Sequence, residues 1–246
     1  MPRWKRWTKC SLCKQDYHGI VRCALGWACW KTYVGLPETE WARRSAMTDL
    51  GNGLSCAGRN MDALSVREAE LSMERRLGAS EQAIRFKPSA ILVTQNNLAG
   101  TYYRLGRFAE ALPMYRDVYS GSLKLFGEEH ENTLTSAANY AVSLRDLKRF
   151  EEAKALLREV IPVARRVLGE DNELTLKMRK GYADALYSDT GATLDDLREA
   201  VTTLEETART SRRVLGGAHP MTGAVESNLR EARAALRARE TPPRSA

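Results

Sequence analysis

Four residues near the amino terminus have types and a spacing that could bind a metal ion. Cys10, Cys13, His18 and Cys23 follow the pattern C-x2-C-x4-H-x4-C. Thiolate sulfur and imidazole nitrogen are preferred ligands of Zn²⁺, and a structural zinc site needs four such ligands. One hypothesis is therefore that these four side chains hold one zinc ion.

Two known families share parts of this pattern. The spacing of the four residues is similar to that of a retroviral-type zinc knuckle. The segment also resembles the closing end of a RING-CH finger, W-x-x-C-x-x-C-x-x-x-Y-x-G, through Trp7, Cys10, Cys13, Tyr17 and Gly19. That second resemblance implies a last C-x2-C of a cross-braced zinc pair, with an apolar helix after it. The other six ligands would have to precede Met1.

The residues after His18 favour a helix. Residues 20–33 read IVRCALGWACWKTY and place Val21, Leu25, Ala28 and Trp30 on or near one helical face. In that interpretation Cys23 and Cys29 are small hydrophobic residues. Three alternatives stay open for Cys10 and Cys13, namely a finger remnant without metal, a zinc site with His18 and Cys23, or neither. We expect purified protein to hold no stoichiometric zinc or other cofactor.

No other pattern indicates catalysis. The sequence contains no glycine-rich phosphate loop, nucleophile elbow or HExxH motif. His130 and His219 occupy equivalent turns of an internal repeat, and Cys56 is interpreted as a core thiol. We therefore predict that the chain is not an enzyme and has no small-molecule substrate.

Charge is concentrated at the two ends of the chain. The net charge is +7, yet residues 1–45 alone hold nine Lys or Arg against three Asp or Glu, and residues 230–246 are also basic. The body between them is slightly acidic, so a nucleic acid is not the expected partner. The most hydrophobic run, residues 21–36, is too short for a bilayer, and Met1–Cys10 lacks the apolar core of a signal peptide. We predict a cytoplasmic protein, with the nucleus as the other possibility, that does not bind membranes.

A repeat organises the rest of the sequence. An alanine after a turn recurs in four segments, and each segment closes on a glycine. These residues are Ala63, Ala111, Ala153 and Ala200, and Gly78, Gly127, Gly169 and Gly216. Each segment reads as two antiparallel helices, the first with an apolar stripe that contains a small residue, as in Leu98, Ala99 and Tyr102. The glycines are expected to end the second helices in left-handed conformation.

These segments resemble tetratricopeptide repeats, and their period of about 42 residues resembles the kinesin light chain type. The motifs LAGTYYRLGRFAEAL and YAVSLRDLKRFEEAK carry the resemblance. It implies an all-α, right-handed superhelical solenoid of antiparallel helix pairs, preceded by a short Cys/Trp-rich segment. We predict a basic Cys/Trp-rich segment over 1–45, four repeats over 46–220, a capping helix over 221–239 and a disordered tail over 240–246.

The family resemblance also implies a function. In such solenoids the first helix of each pair lines a concave face that binds an extended peptide, often through asparagine amides. The predicted peptide-binding residues are Asn96, Asn97, Tyr103, Asn139, Arg145, Lys177 and Lys180. Because three of these seven side chains are basic, we expect a protein partner with acidic residues. The alternative is a fragment of a RING-CH ubiquitin ligase whose repeats recruit substrate.

Overall fold

The computed structural model describes residues 4–10, 15–78 and 88–240. The chain divides into two compact units, Met1–Met114 and Tyr115–Ala246. Within the described residues the regular structure is helical, apart from one isolated β-bridge between Lys9 and Asp16. The prediction of an all-α protein is therefore confirmed.

Unit 1 contains a 3-10 turn and the first helices of the chain. The 3-10 turn spans Lys5–Trp7, and the helices are α1 (Gly19–Tyr33), α2 (Trp41–Cys56), α3 (Asn60–Gly78) and α4 (Pro88–Arg104). Pro88 is the first residue of α4, a position where its missing N–H costs nothing. Residues 79–87, which precede it, lie outside the described residues.

Helix α5 (Phe108–Phe126) begins in unit 1, and the remaining helices belong to unit 2. They are α6 (Glu131–Asp146), α7 (Phe150–Leu168), α8 (Glu173–Ser188), α9 (Leu194–Leu215) and α10 (Pro220–Glu240). The short turn between α6 and α7, and the packing of each on the other, makes the pair antiparallel, and the same holds for α8 and α9. Helix A denotes the first helix of each pair and helix B the second.

One turn geometry joins helix A to helix B in the first three pairs. Gly58, Gly106 and Lys148 occupy the same turn position, and all three have positive φ. In each turn the next residue donates its N–H to a carbonyl five positions earlier, at 2.9 Å in every case. Lys148 therefore adopts a conformation that an L-residue with a side chain disfavours.

The turns between pairs also repeat. Gly127, Gly169 and Gly216 have positive φ and follow α5, α7 and α9, as predicted. Gly78 differs, because it is the last residue of α3 itself. The turns then end on helix-capping residues, whose side chains accept a hydrogen bond from the backbone N–H two residues later. They are His130, Asn172 and His219.

Small residues sit at the centres of the helix pairs. Ala63, Ala111, Ala153 and Ala200 are 0% exposed. Around the last two, leucines fill the space between the helices of unit 2, including Leu157, Leu186 and Leu204. The predicted alanine positions therefore mark where paired helices approach most closely.

Helix α10 covers the apolar end of this core. Val225 and Ala232 are fully buried in the same cluster as Leu204, and Leu229 packs against it. Its opposite face is exposed and charged. The expected role of this helix as the cap over the last apolar surface of a solenoid stays a prediction.

Helix α1 crosses α2 at a pair of glycines. A Cβ built on Gly26 would lie 2.9 Å from the carbonyl oxygen of Asp49, and one on Gly53 would lie 2.7 Å from that of Arg22. The predicted helix is confirmed. Val21 and Ala28 are exposed, because the backbones approach along the face of Gly26 and the two buried cysteines.

A buried ion pair fixes α1 on α2. The Arg22 guanidinium donates to the Asp49 carboxylate at 2.8 Å, and both side chains are nearly inaccessible to solvent. Arg22 also donates to the backbone oxygen of Trp7, so the amino-terminal segment is tied to the same site. The basic segment 1–45 is thus integrated into unit 1 through α1.

The strain at Lys148 predicts a stabilising substitution. Lys148→Gly should raise the free energy of unfolding by about 1 kcal/mol, because glycine adopts positive φ without a steric penalty. The Lys148 side chain is exposed, so its packing contributes little. Urea denaturation monitored by circular dichroism measures the change. Lys148→Ala keeps a side chain in the left-handed conformation and should give no gain of this size; equal gains from both variants would contradict the explanation.

Where α1 crosses α2, replacing a glycine is expected to destabilise the protein. Gly53→Ala should lower the free energy of unfolding by about 2 kcal/mol, because backbone atoms of α1 stand where the methyl group would lie. Gly223→Ala is the matched control in α10, where an added Cβ meets no atom within 4 Å. The control should be neutral or stabilising by about 0.5–1 kcal/mol. Similar denaturation midpoints for the two variants would exclude a tight crossing.

Candidate peptide-binding surface

A cavity of about 580 Å³ opens on the helix A side of unit 2. It is lined by residues of α6, α8 and α10, and three of them are among the predicted peptide-binding residues, namely Arg145, Lys177 and Lys180. The structure therefore brings these three basic side chains to one cavity, here called the α6–α8–α10 cavity.

Two carboxylates, those of Asp184 and Asp146, compensate two of the three positive charges. Asp184 of α8 is 4% exposed and accepts hydrogen bonds from Arg145 at 2.9 Å and from Lys180 at 2.8 Å. The side-chain amide of Asn228 on α10 also donates to it. Arg145 pairs in addition with Asp146 at 2.7 Å. Asp184 thus ties the three cavity helices together and fixes the positions of two basic groups.

Lys177 is the third basic residue of the cavity, and it lies outside this hydrogen-bond network. In the described part of the chain its ammonium forms no ion pair with a carboxylate. Removal of solvent by the surrounding protein lowers the pKa of Lys177, and the positive charge of Lys180 lowers it further, whereas Glu173 has the opposite effect. An anion placed in the cavity would relieve this unfavourable environment.

Apolar residues, together with Glu173 and His219, form the rest of the wall, and sequence reasoning missed the apolar ones. Val142, Met221 and Ala224 line the cavity, as does Gly181. Met221 and Ala224 lie on α10, where the sequence was interpreted only as a cap. The signal was present, because Pro220–Met221 follow His219 as the first residues of another helix A pattern.

The predicted peptide-binding residues of α4, namely Asn96, Asn97 and Tyr103, lie in unit 1 and do not line this cavity. Asn96 and Asn97 are half-buried on α4. Tyr103 packs its ring edge-on against Phe108 at 5.2 Å, so it stabilises the turn between α4 and α5. Asn139, the repeat equivalent of Asn97, is half-buried on α6. The expectation that Asn97 and Asn139 line one wall stays a prediction.

The structure explains why the asparagine pattern does not extend to the first repeat. Asp49 occupies the position equivalent to Asn97. It is buried against α1, where its carboxylate binds Arg22. That position therefore stabilises the docking of α1 and is not available to a peptide.

Two of the four residues in the hypothetical zinc site have different surroundings. His18 is exposed, whereas Cys23 is buried with Leu50 and Leu54 between α1 and α2. Cys13 lies outside the described residues, so the hypothesis of a zinc site stays a prediction. Across residues 4–10, 15–78 and 88–240, no three His, Cys, Asp or Glu side chains cluster in a way that could hold a metal ion.

The surroundings of the remaining cysteine and histidine side chains bear on their reactivity. Burial raises the pKa of Cys29 to about 12, so its thiol stays protonated and unreactive. The interpretation of Cys56 as a core thiol is wrong, since it is exposed at the last turn of α2. His130 and His219 use their Nδ1 atoms to cap α6 and α10. No helix in the described ranges has the length and apolar character needed to cross a bilayer.

Comparisons with known proteins agree with this architecture. Residues 90–166 match the tetratricopeptide repeat family. No curated protein sequence matches the chain. The matched range contains α5 and α6 entirely and nearly all of α4 and α7.

Solved structures extend the likeness beyond this range. BtubC (BKLC) from P. vanneervenii superposes with a TM-score of 0.65 at 19% identity, covering 92% of this chain and 95% of that one. Nearly identical TPR-like repeats from Podosopora anserina, described as those of a kinesin light chain, superpose with a TM-score of 0.63 at 22% identity, covering 80% and 89%. A substituted form of the same repeats gives 0.64 at the same identity, covering 80% and 88%. The predicted tetratricopeptide-type fold is confirmed, and none of these matches is to a RING-CH finger.

The role of Asp184 gives a testable prediction. Asp184→Asn should lower the free energy of unfolding by about 3 kcal/mol, because it removes the buried partner of Arg145 and Lys180. Asp195→Asn is the control, since its carboxylate is exposed and pairs with Arg198 on the surface. The control should change stability by less than about 0.5 kcal/mol. If urea denaturation shows equal losses for both variants, Asp184 does not organise the cavity.

Proposed function

We propose that the protein is a non-catalytic scaffold that binds an extended, acidic segment of a partner protein in the α6–α8–α10 cavity. The observation that carries the proposal is Lys177, which forms no ion pair among the described residues and lies in an open cavity with Glu173, the paired Arg145 and Lys180, and apolar groups. The tetratricopeptide-type fold supports it, since such folds present helix A surfaces to protein partners.

The cavity suggests how the segment is recognised. An Asp or Glu side chain pairs with Lys177, because the pair restores a favourable environment for the ammonium. A neighbouring apolar side chain packs against Val142 and Met221, which line the same cavity. Asn139, on the same helix as Val142, is suited to bind peptide backbone because an amide both donates and accepts hydrogen bonds.

Asp184 contributes selectivity indirectly. Because Asp184 and Asp146 together balance the charges of Arg145 and Lys180, the cavity offers one strong anchor for a carboxylate and not three. A single charge contact plus a modest apolar contact gives an affinity on the order of micromolar once ordering of the peptide is included. The ligase alternative gains no support from the cavity or from the comparisons.

Charge reversal at Lys177 tests the proposal. We expect a peptide array to select segments with Asp or Glu next to an apolar residue, and Lys177→Glu to weaken their binding at least about tenfold. Fluorescence anisotropy with the best peptide measures the loss. Raising the salt concentration should weaken binding to the parent protein more than to the variant, since salt screens the removed attraction.

The matched control is Lys124→Glu, which reverses an exposed lysine of α5 away from the cavity lining. It makes the same change in net charge, so nonspecific attraction falls equally in both variants. Circular dichroism confirms that both are folded. The proposal fails if the array shows no acidic preference, or if the two lysine variants lose affinity to the same extent.

A further inference from the structure

A second cavity, of about 360 Å³, lies in unit 1 and has the opposite chemistry. Helices α2, α3 and α4 line it. Its walls combine glutamates, hydroxyl groups, an arginine and apolar groups. The lining residues include Trp41, Arg44, Thr48, Glu70, Glu74 and Val93. Here it is called the α2–α3–α4 cavity.

Two carboxylates of α3 are buried in this wall. Glu70 is 2% exposed and Glu74 is 4% exposed. Thr48 donates a hydrogen bond to Oε1 of Glu70, but within the described residues Oε2 of Glu70 accepts none. The guanidinium of Arg44 forms an ion pair with Glu74, with 3.6 Å between Nη1 of Arg44 and Oε2 of Glu74. Oε2 of the buried Glu70 is therefore the carboxylate oxygen of this wall that has unused capacity to accept hydrogen bonds.

Burial makes this arrangement unfavourable for the empty protein. Loss of solvent raises the pKa of Glu70 despite Thr48, Arg67 and Thr94, which favour its ionised form. Loss of solvent also raises the pKa of Glu74, against the effect of Arg44. A buried carboxylate without enough donors costs free energy, and a donor or cation brought into the cavity recovers part of it.

An aromatic ring stands at the edge of the same cavity. Trp41 is 56% exposed, and its ring packs at 4.7 Å from that of Trp4, which in turn lies 5.2 Å from Tyr33. These tilted ring contacts hold the indole in place while one part stays open to solvent. The face of an indole ring attracts cations, and exposed Val93 adds apolar surface at the rim.

We propose that the α2–α3–α4 cavity binds a lysine or arginine side chain of a partner protein. Glu70 and Glu74 receive the hydrogen bonds of the cationic head, and Trp41 and Val93 cover its aliphatic stem. A metal ion fits less well, because no cluster of three ligating side chains exists in the described ranges. The site is independent of the α6–α8–α10 cavity, which contains Lys177 and lies in unit 2.

Short capped peptides test the proposal directly. The probes are Ac-Ala-Lys-Ala-NH₂, Ac-Ala-Arg-Ala-NH₂ and Ac-Ala-Nle-Ala-NH₂, in which norleucine has the lysine stem without the charge. Titration is followed by the indole N–H signal of Trp41, identified by its loss in Trp41→Phe. The two cationic peptides should shift this signal saturably, and the norleucine peptide should bind at least about fivefold more weakly.

Two sets of variants separate the cavity from general charge effects. Glu70→Gln should weaken the lysine peptide at least about fivefold, whereas Glu110→Gln, at an exposed site on α5, should leave its binding unchanged. Should Glu70→Gln fail to fold, Trp41→Leu takes its place, with the backbone amide of Val93 as reporter and the same expected loss.

Three outcomes overturn the proposal. Equal binding of the norleucine and lysine peptides means that the cavity does not recognise charge. Unchanged affinity in folded Glu70→Gln or Trp41→Leu means that binding occurs elsewhere. Tighter binding of n-butylammonium than of the lysine peptide means that the ligand is a free amine and not a protein side chain. None of these outcomes depends on whether acidic peptides bind near Lys177.

Discussion

Close approach of helices at residues with little or no side chain is the constraint on which this structure depends. Ala153 and Ala200 are fully inaccessible at the centres of their pairs in unit 2, and Gly26 and Gly53 let α1 touch the backbone of α2. A larger side chain at such a point would separate two helices along their whole length. Helix spacing in each unit is therefore set by very few positions.

Fixed helix spacing makes the candidate sites possible, because each cavity is lined by several helices at once. In unit 2, Asp184 connects α6, α8 and α10 through Arg145, Lys180 and Asn228, and Lys177 remains without an ion pair among the described residues. In unit 1, Oε2 of the buried Glu70 accepts no hydrogen bond within the described residues. The two proposed sites therefore each rest on a charged group that its surroundings pair incompletely.

The repeat was predictable because its key signals are local. Alanine after a turn, glycine after helix B and an apolar stripe on helix A depend on spacing along one chain, and Ala111 and Gly127 were placed correctly by that rule. The sequence did not predict which face of α1 is buried or that Cys56 is exposed, because both depend on which helices meet in space. The ion pair between Asp184 and Arg145 was also not predicted, because the two residues are far apart in the sequence. This ion pair reduces the positive charge that the cavity presents to a ligand.

Methionine methyl NMR can test whether an acidic segment binds in the α6–α8–α10 cavity. Met221 lines this cavity, whereas Met61 is exposed in unit 1. With [¹³C-methyl]methionine-labelled protein and an array-selected acidic peptide, we expect a saturable shift of the Met221 signal and an unchanged Met61 signal. Saturable binding of that peptide with the Met221 signal unmoved would show that the peptide binds outside this cavity.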